Sequence, residues 1–230
     1  VDIISTILFR RFKMKKIRIF FLFLITTIAV ITVILTGSFP VLAEFKYYEK
    51  FDENTAFIHI DMIPKTVEEF ISLRDKVAVY PEGGVVMLVL AAKIYVENKE
   101  EGMKCFTIVL ERNNLQKNHK GYKGWSPDSS FQWKLKYLDQ MPWAPNTYFS
   151  GTSGDNGYKL PEGPWKFILK TNKYSKRPKS IKFFIETSGA DNPRPFSVSK
   201  NNKGIWKISG NASSFFTGMK APKKDVDDDL

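Results

Sequence analysis

The chain has 230 residues, with 35 Lys and Arg against 24 Asp and Glu, a formal charge of +11. Its single cysteine, Cys105, excludes an internal disulfide and a cysteine-built zinc cluster. The only histidines, His59 and His119, have no metal-ligand spacing and support no Ser–His–Asp order.

Part of the charge belongs to the first 43 residues, which hold six basic residues and one acidic residue. The remainder carries 29 basic and 23 acidic residues, a mild +6 that favours solubility and weak attraction to anionic surfaces. A nucleic-acid binder shows a denser basic stripe within a recognisable module, and none is present, so no nucleic-acid partner is expected.

Met14-Lys15-Lys16-Ile17-Arg18 opens a basic segment, and the charge-free run Ile19 to Thr36 follows. Gly37, Ser38 and Pro40 break the run, and Val41-Leu42-Ala43 precedes Glu44. This is a secretory signal pattern with small residues at −3 and −1. The rival is an uncleaved anchor, because about eighteen apolar residues reach the lower limit of a spanning helix. Cleavage is favoured by the proline break and the final alanine. Either way the globular part lies outside the cytoplasm, secreted or held on the outer face of the membrane. The membrane is a partner only through this segment.

Residues 44–61 read as a linker ending in a short extended piece, Phe57-Ile58-His59-Ile60. Thr66-Val67-Glu68-Glu69 is a capping box. The helix it opens carries Val67, Phe70, Ile71, Val77 and Ala78 at helical spacing and stops before Pro81. Val85 to Val96 is apolar at eleven of twelve positions, which predicts a central buried helix too short to cross a bilayer, although its β-branched content also suits a strand. A third helix is expected from about Glu100 to Asn113, with Met103, Phe106 and Leu110 on one face. Cys105 sits in an apolar run and reads as a buried, inert thiol.

Asn118 to Trp125, NHKGYKGW, reads as a loop. Ser126-Pro127-Asp128 resembles an N-cap with proline at the first helical position, so the alternating FQWKLKY that follows is read as helix rather than strand. Asn146 to Gly163 has four glycines in eighteen positions and connects the helices to the strands. Strands are expected over Pro164 to Thr171, Ile181 to Thr187, Phe196 to Ser199 and Ile205 to Ile208, the last pair joined by a turn at Asn201 to Gly204. Short connections imply antiparallel pairing. The fold class is therefore α+β, with N-terminal helices packed on a C-terminal antiparallel sheet of about four strands. Asn211 to Gly218 reads as a capped half-turn carrying Phe215 and Phe216, and residues 223–230 as a charged tail.

Six segments together, IPKTVEEF, PEGGVVMLVLAA, GYKGW, YFSGTSGDNGYKLP, SGADNPRPFSV and WKISGNASSFFTG, resemble an uncharacterised bacterial protein family, a domain of unknown function. The resemblance runs from about Ile63 to Pro222 and implies one domain, placed at 62–222. It implies no activity, substrate or catalytic residue. The hairpin ending in Gly204-Ile205-Trp206-Lys207-Ile208 is also similar to cone-shaped nuclear-transport-factor-like domains.

The glycine-rich loop lacks the Gly-Lys-Ser/Thr ending of a phosphate loop. Asp155-Asn156-Gly157 resembles the turn of a calcium loop whose other ligands are missing. No cofactor and no metal is expected. Arg194, held between two prolines, is read either as a turn lock with Asp191 or as a bidentate anion binder. Tyr122, Trp125, Trp143, Tyr148 and Tyr158 are read as exposed rings that stack on a ligand, or as cover for the helix–sheet seam. Tyr122, Trp125, Tyr148 and Tyr158 form the candidate ligand-binding set with Asp155, Asn156, Asp191 and Arg194. The expected function is a non-catalytic binding module for a protein or cell-envelope ligand, using three converging loops: 118–125, 146–163 and 188–195. The alternatives are an envelope hydrolase with a carboxylate pair drawn from Asp155, Glu162, Glu186 and Asp191, and a membrane-anchored structural protein. Cleavage of the leader predicts a mature N-terminus at Glu44 by intact-mass spectrometry; a mature chain that retains residues 19–43 contradicts it.

Overall fold

Alternation of apolar and polar residues makes the sheet, and the stretch that is apolar all round makes the helix the sheet covers. The computed structural model describes residues 47–177, 179–210 and 215–223. The leader, residues 211–214 of the half-turn and residues 224–230 of the tail lie outside the described residues.

The main sheet has seven strands: β1 (Tyr47–Lys50), β2 (Thr55–Ile60), β5 (Trp165–Lys170), β6 (Lys176–Arg177), β7 (Ser180–Ile185), β8 (Arg194–Lys200) and β9 (Trp206–Gly210). Its order is β1-β2-β5-β7-β8-β9, with β6 also on β7, and every pairing is antiparallel. A separate hairpin joins β3 (Leu115–Tyr122) to β4 (Trp125–Pro127). The helices are α1 (Val67–Val77), α2 (Pro81–Glu97), α3 (Lys99–Val109) and α4 (Ser129–Gln140).

The α+β class and the antiparallel sheet are as the sequence predicts, but the sheet is larger and the helices do not all come first. Residues read as a linker supply β1, and the extended piece Phe57-Ile58-His59-Ile60 forms most of β2. Alternation in β2 buries Ala56, Ile58 and Ile60 and leaves His59 on the other face, and the segment pairs fully with β5, from Thr55↔Lys170 to Ile60↔Trp165. The two-residue β6 falls inside a basic segment with no apolar pattern, so periodicity does not signal it.

Helix α1 starts where the capping box places it. The Thr66 side chain accepts from the Glu69 amide at 3.3 Å, while Glu69 Oε2 accepts from the Lys65 amide at 2.8 Å. Helix α2 buries thirteen of its seventeen residues and touches β2, β7, β8 and β9 on one side and α1, α3 and α4 on the other. Helix α3 ends at Val109, four residues before the expected Asn113, because the edge of β9 captures the chain. Leu110 bridges Ile208, the Glu111 amide donates to the Ile208 carbonyl at 2.8 Å, and Lys207 Nζ donates to the Leu110 carbonyl at 3.3 Å. Cys105 is fully buried between the helices, and burial pushes its thiol up to about 12. Among the described residues no helix is long and apolar enough to cross a membrane.

Among the described residues one carboxylate is buried. Glu82, in the first turn of α2, is 9% exposed. Its Oε1 accepts from Tyr48 Oη at 3.3 Å, and its Oε2 has no partner. Burial holds the Glu82 carboxyl above its ordinary value, with the attraction of Lys50 and Lys176 opposing the shift. Burial, then the Glu82 charge, pushes the Tyr48 hydroxyl up to about 12. Because the folded carboxyl titrates above the unfolded one, its contribution to stability is fully present below the ordinary carboxylate range and is lost as pH rises through the folded value. Glu82→Gln removes that dependence. Urea unfolding is therefore expected to show the variant gaining on wild type as pH rises from about 4 to 8; a difference that stays flat with pH refutes the assignment.

Candidate functional site

The β3–β4 hairpin decides where a ligand can approach. The sequence suggests a loop over 118–125, but Leu115, Gln116 and Lys117 pair with Pro127, Ser126 and Trp125, and Tyr122 re-pairs with Trp125 after a bulge. Two glycines make this possible. A Cβ on Gly121 would stand 2.2 Å from the Trp125 carbonyl oxygen, and Gly124 follows Lys123 with φ +80°. The hairpin takes Ser126 and Pro127 as strand residues, so the cap of α4 is Asp128, whose side chain accepts from the Phe131 amide at 2.7 Å.

The hairpin leans over α3 and leaves a recess on each side. Thr107, Tyr122, Lys123 and Trp125 line both. The first recess, about 410 Å³, also reaches the turn between β8 and β9. Five cations line it, Arg74, Arg112, Lys123, Lys203 and Lys207, with no carboxylate among its lining residues. The Arg112 guanidinium lies 3.0 Å from the centre of the Trp125 ring, and it makes no ion pair among the described residues. Arg74 is fixed by its neighbour Asp75, donating from Nε at 2.9 Å and from Nη2 at 2.7 Å. Burial, helped by the repulsion of Arg74, pulls the Lys207 ammonium below its usual range. The second recess, about 500 Å³, adds Lys120 and the Lys104–Glu100 ion pair.

Loops 146–163 and 188–195 do meet, but elsewhere and for structural reasons. The Ser188 amide donates to the Thr147 carbonyl at 2.9 Å, Thr187 Oγ1 donates to Thr147 Oγ1 at 2.8 Å, and Thr152 Oγ1 lies 2.9 Å from Ser188 Oγ. The C-terminal segment straps both loops down. Its Lys220 amide donates to the Gly189 carbonyl at 2.8 Å, and its Lys223 amide to the Gly154 carbonyl at 3.0 Å. These loops flank the start of β8, whereas the cationic recess borders its far end, beyond Lys200. The three loops therefore do not share one site.

The predicted site residues divide accordingly. Tyr122 and Trp125 line the recess. Tyr148 and Tyr158 are buried, 2% and 1% exposed, which corrects their reading as exposed rings. Tyr148 stacks on Phe215 at 4.7 Å and donates to the Phe215 carbonyl at 3.1 Å. Asn156 closes its own turn, accepting from the Ser153 amide at 3.1 Å. Asp155 pairs with Lys223 at 2.5 Å and Asp191 pairs with Lys220, so the expected Asp191–Arg194 lock does not form. Arg194 points the other way, and its Nη2 donates to the Thr217 and Gly218 carbonyls at 3.1 and 3.2 Å. Glu186 pairs with Lys170 at 2.5 Å. Each of these three carboxylates is set against a lysine, not against a second carboxylate. Sequence reasoning missed Arg74, Arg112, Lys203 and Lys207, which come from four different elements or turns. The one available signal was Arg112 beside a short polar turn.

The strap also separates strong contacts from weak ones. Lys220→Ala removes an exposed ion pair with Asp191 and is expected to leave the urea midpoint nearly unchanged. Arg194→Ala removes two charge-assisted bonds from a partly buried group and is expected to cost about 2–4 kcal/mol in urea unfolding. Equal effects of the two variants contradict this assignment.

No curated protein and no solved structure matches the chain. A family model described as a domain of unknown function, DUF6935, matches residues 62–223, from the residues before α1 to the last residues of the strap. The chain belongs to the DUF6935 family of domains of unknown function.

Proposed function

We propose that this domain is a non-catalytic binding module for an anionic ligand of the cell envelope, working outside the cytoplasmic membrane, secreted or held on its outer face. The observation that carries this reading is Arg112 lying on Trp125 at the mouth of a recess with five cations and no lining carboxylate. A guanidinium stacked on an indole has its plane fixed and its N–H edge free, which is the arrangement that grips phosphate or carboxylate in a bidentate way. The Trp125 and Tyr122 rings beside it supply an apolar wall of the kind that lies against a sugar ring or a polymer backbone. An approaching anion offsets the burial and the Arg74 repulsion that weigh against the Lys207 ammonium, which favours a negatively charged ligand here.

Poly(glycerol phosphate) is a suitable probe, with uncharged dextran as its control. Titration of the full chain by calorimetry is expected to show binding to the first and none to the second. Arg112→Ala and Trp125→Ala are each expected to weaken binding tenfold or more, about 1.4 kcal/mol. Arg112→Lys does not restore it, because an ammonium lacks the planar fork. Losses below twofold in both alanine variants refute the proposal.

A further inference from the structure

From Gly163 to Ile185 the chain contains seven Lys and Arg residues and no Asp or Glu. The fold shapes this bias into a second basic surface, separate from the cleft. Strands β5 and β6 lie in succession along the same side of β7: Lys170 pairs with Phe184, and pairing resumes at Lys176↔Ile181. The residues between swing outward as a closed loop. Thr171 Oγ1 donates to the Lys182 carbonyl at 3.1 Å, the Lys182 amide donates to the Ser175 carbonyl at 3.0 Å, and Asn172 Oδ1 accepts from the Tyr174 amide at 3.0 Å. The loop presents Tyr174 at 81% exposure, the most exposed large hydrophobic side chain among the described residues. Lys173 lies 5.0 Å from its ring, and Lys176, Arg177 and Lys179 follow in the chain, all four exposed and without an ion pair among the described residues. A recess of about 420 Å³ lies beside them, lined by Tyr174, Arg177 and Lys182.

We propose that this basic hairpin docks on an anionic bilayer surface, with Tyr174 seated among the headgroups and a lipid phosphate held at Arg177 and Lys182. A tyrosine left almost wholly in water contributes little to folding, but its apolar ring and polar tip suit the membrane interface. Clustered Lys and Arg without acidic neighbours match the negative potential of such a surface. Chain length also favours a bilayer over a soluble polyanion. Ten residues lie between Thr36, the end of the apolar leader run, and Tyr47 at the start of β1, so where the leader is retained as an anchor β1 stays within about 40 Å of the bilayer. The hairpin begins beside the β1–β2 turn, where the Thr171 amide donates to the Asn54 carbonyl at 2.7 Å. This docking is independent of the Arg112–Trp125 cleft.

The test uses the full chain with an environment-sensitive dye at Glu53→Cys, on the exposed turn whose Asn54 carbonyl accepts from the Thr171 amide of the loop at 2.7 Å; the buried Cys105 leaves the new thiol as the labelled one. Vesicles of phosphatidylcholine, with or without phosphatidylglycerol, carry brominated lipid as quencher. Quenching is expected to be at least threefold greater with phosphatidylglycerol. It is expected to fall to the neutral-vesicle level when Lys173, Lys176, Arg177 and Lys179 are all changed to Glu. Tyr174→Ala is expected to lower it at unchanged charge, and Arg112→Ala to leave it intact. If the quadruple variant loses its near-ultraviolet dichroism, Lys173→Ala with Lys179→Ala, both outside the strands, takes its place. Equal quenching in both vesicles overturns the proposal, as does quenching that survives the charge changes. Quenching unaffected by Tyr174→Ala, with the dye shielded instead by soluble polyphosphate, assigns the surface to a free polyanion and equally overturns it.

Discussion

Helix α2 has no polar face. From Val85 to Ala92 every residue is fully buried, so water can be kept away only if other elements cover the helix on all sides. That requirement explains the layering. The sheet takes one side, α1 and α3 the other, and α4 completes the enclosure. It also explains why Glu82 is unusual. The only carboxylate in the helix's first turn lies where burial is already closing in, and it is held by a single tyrosine hydroxyl while its second oxygen has no partner.

A second tie comes from the other end of the chain. Phe215 and Phe216 are fully buried. Phe216 packs against Phe106 of α3 and Phe131 of α4, each at 6.1 Å, while Phe215 meets Phe196 of β8 at 5.5 Å and stacks on Tyr148. This pair anchors the strap that fastens loops 146–163 and 188–195. The richness of those loops in Gly, Ser, Thr and Asn therefore serves turn formation and mutual hydrogen bonding. The hairpin cleft has no such fastening: Arg74 is held by Asp75, whereas Arg112 lies on the Trp125 ring and Lys207 donates to the Leu110 carbonyl.

The basic character of the chain is unevenly distributed. Within the described fold it concentrates at the Arg112–Trp125 recess and on the β5–β7 hairpin, whereas the charged residues of α3 are paired, Lys104 with Glu100 and Glu101 and Lys99 with Asp139 of α4. Unpaired cations in recesses raise the local potential far more than the net charge suggests, because low-dielectric walls focus the field.

Local pattern determined a good deal. The capping box at Thr66, the apolar run of α2, the four alternating segments of the C-terminal half and the Asn201 turn all form where the sequence places them, because each is set by neighbours within a few residues. The buried state of Cys105 was legible for the same reason. Tertiary structure decided the rest. Whether residues 47–60 form a linker or two strands depends on β5, more than a hundred residues away. Whether α3 ends at Val109 depends on the edge of β9. Whether Tyr148 and Tyr158 face solvent depends on a strap near the chain's end. The hairpin at 115–127 has polar residues on both faces, so it carries no alternation to read. The cationic recess is the clearest case. Its arginines and lysines come from α1, the turn after α3, the β3–β4 turn, the β8–β9 turn and β9, and nothing in their spacing could show that folding brings them together without a carboxylate between them.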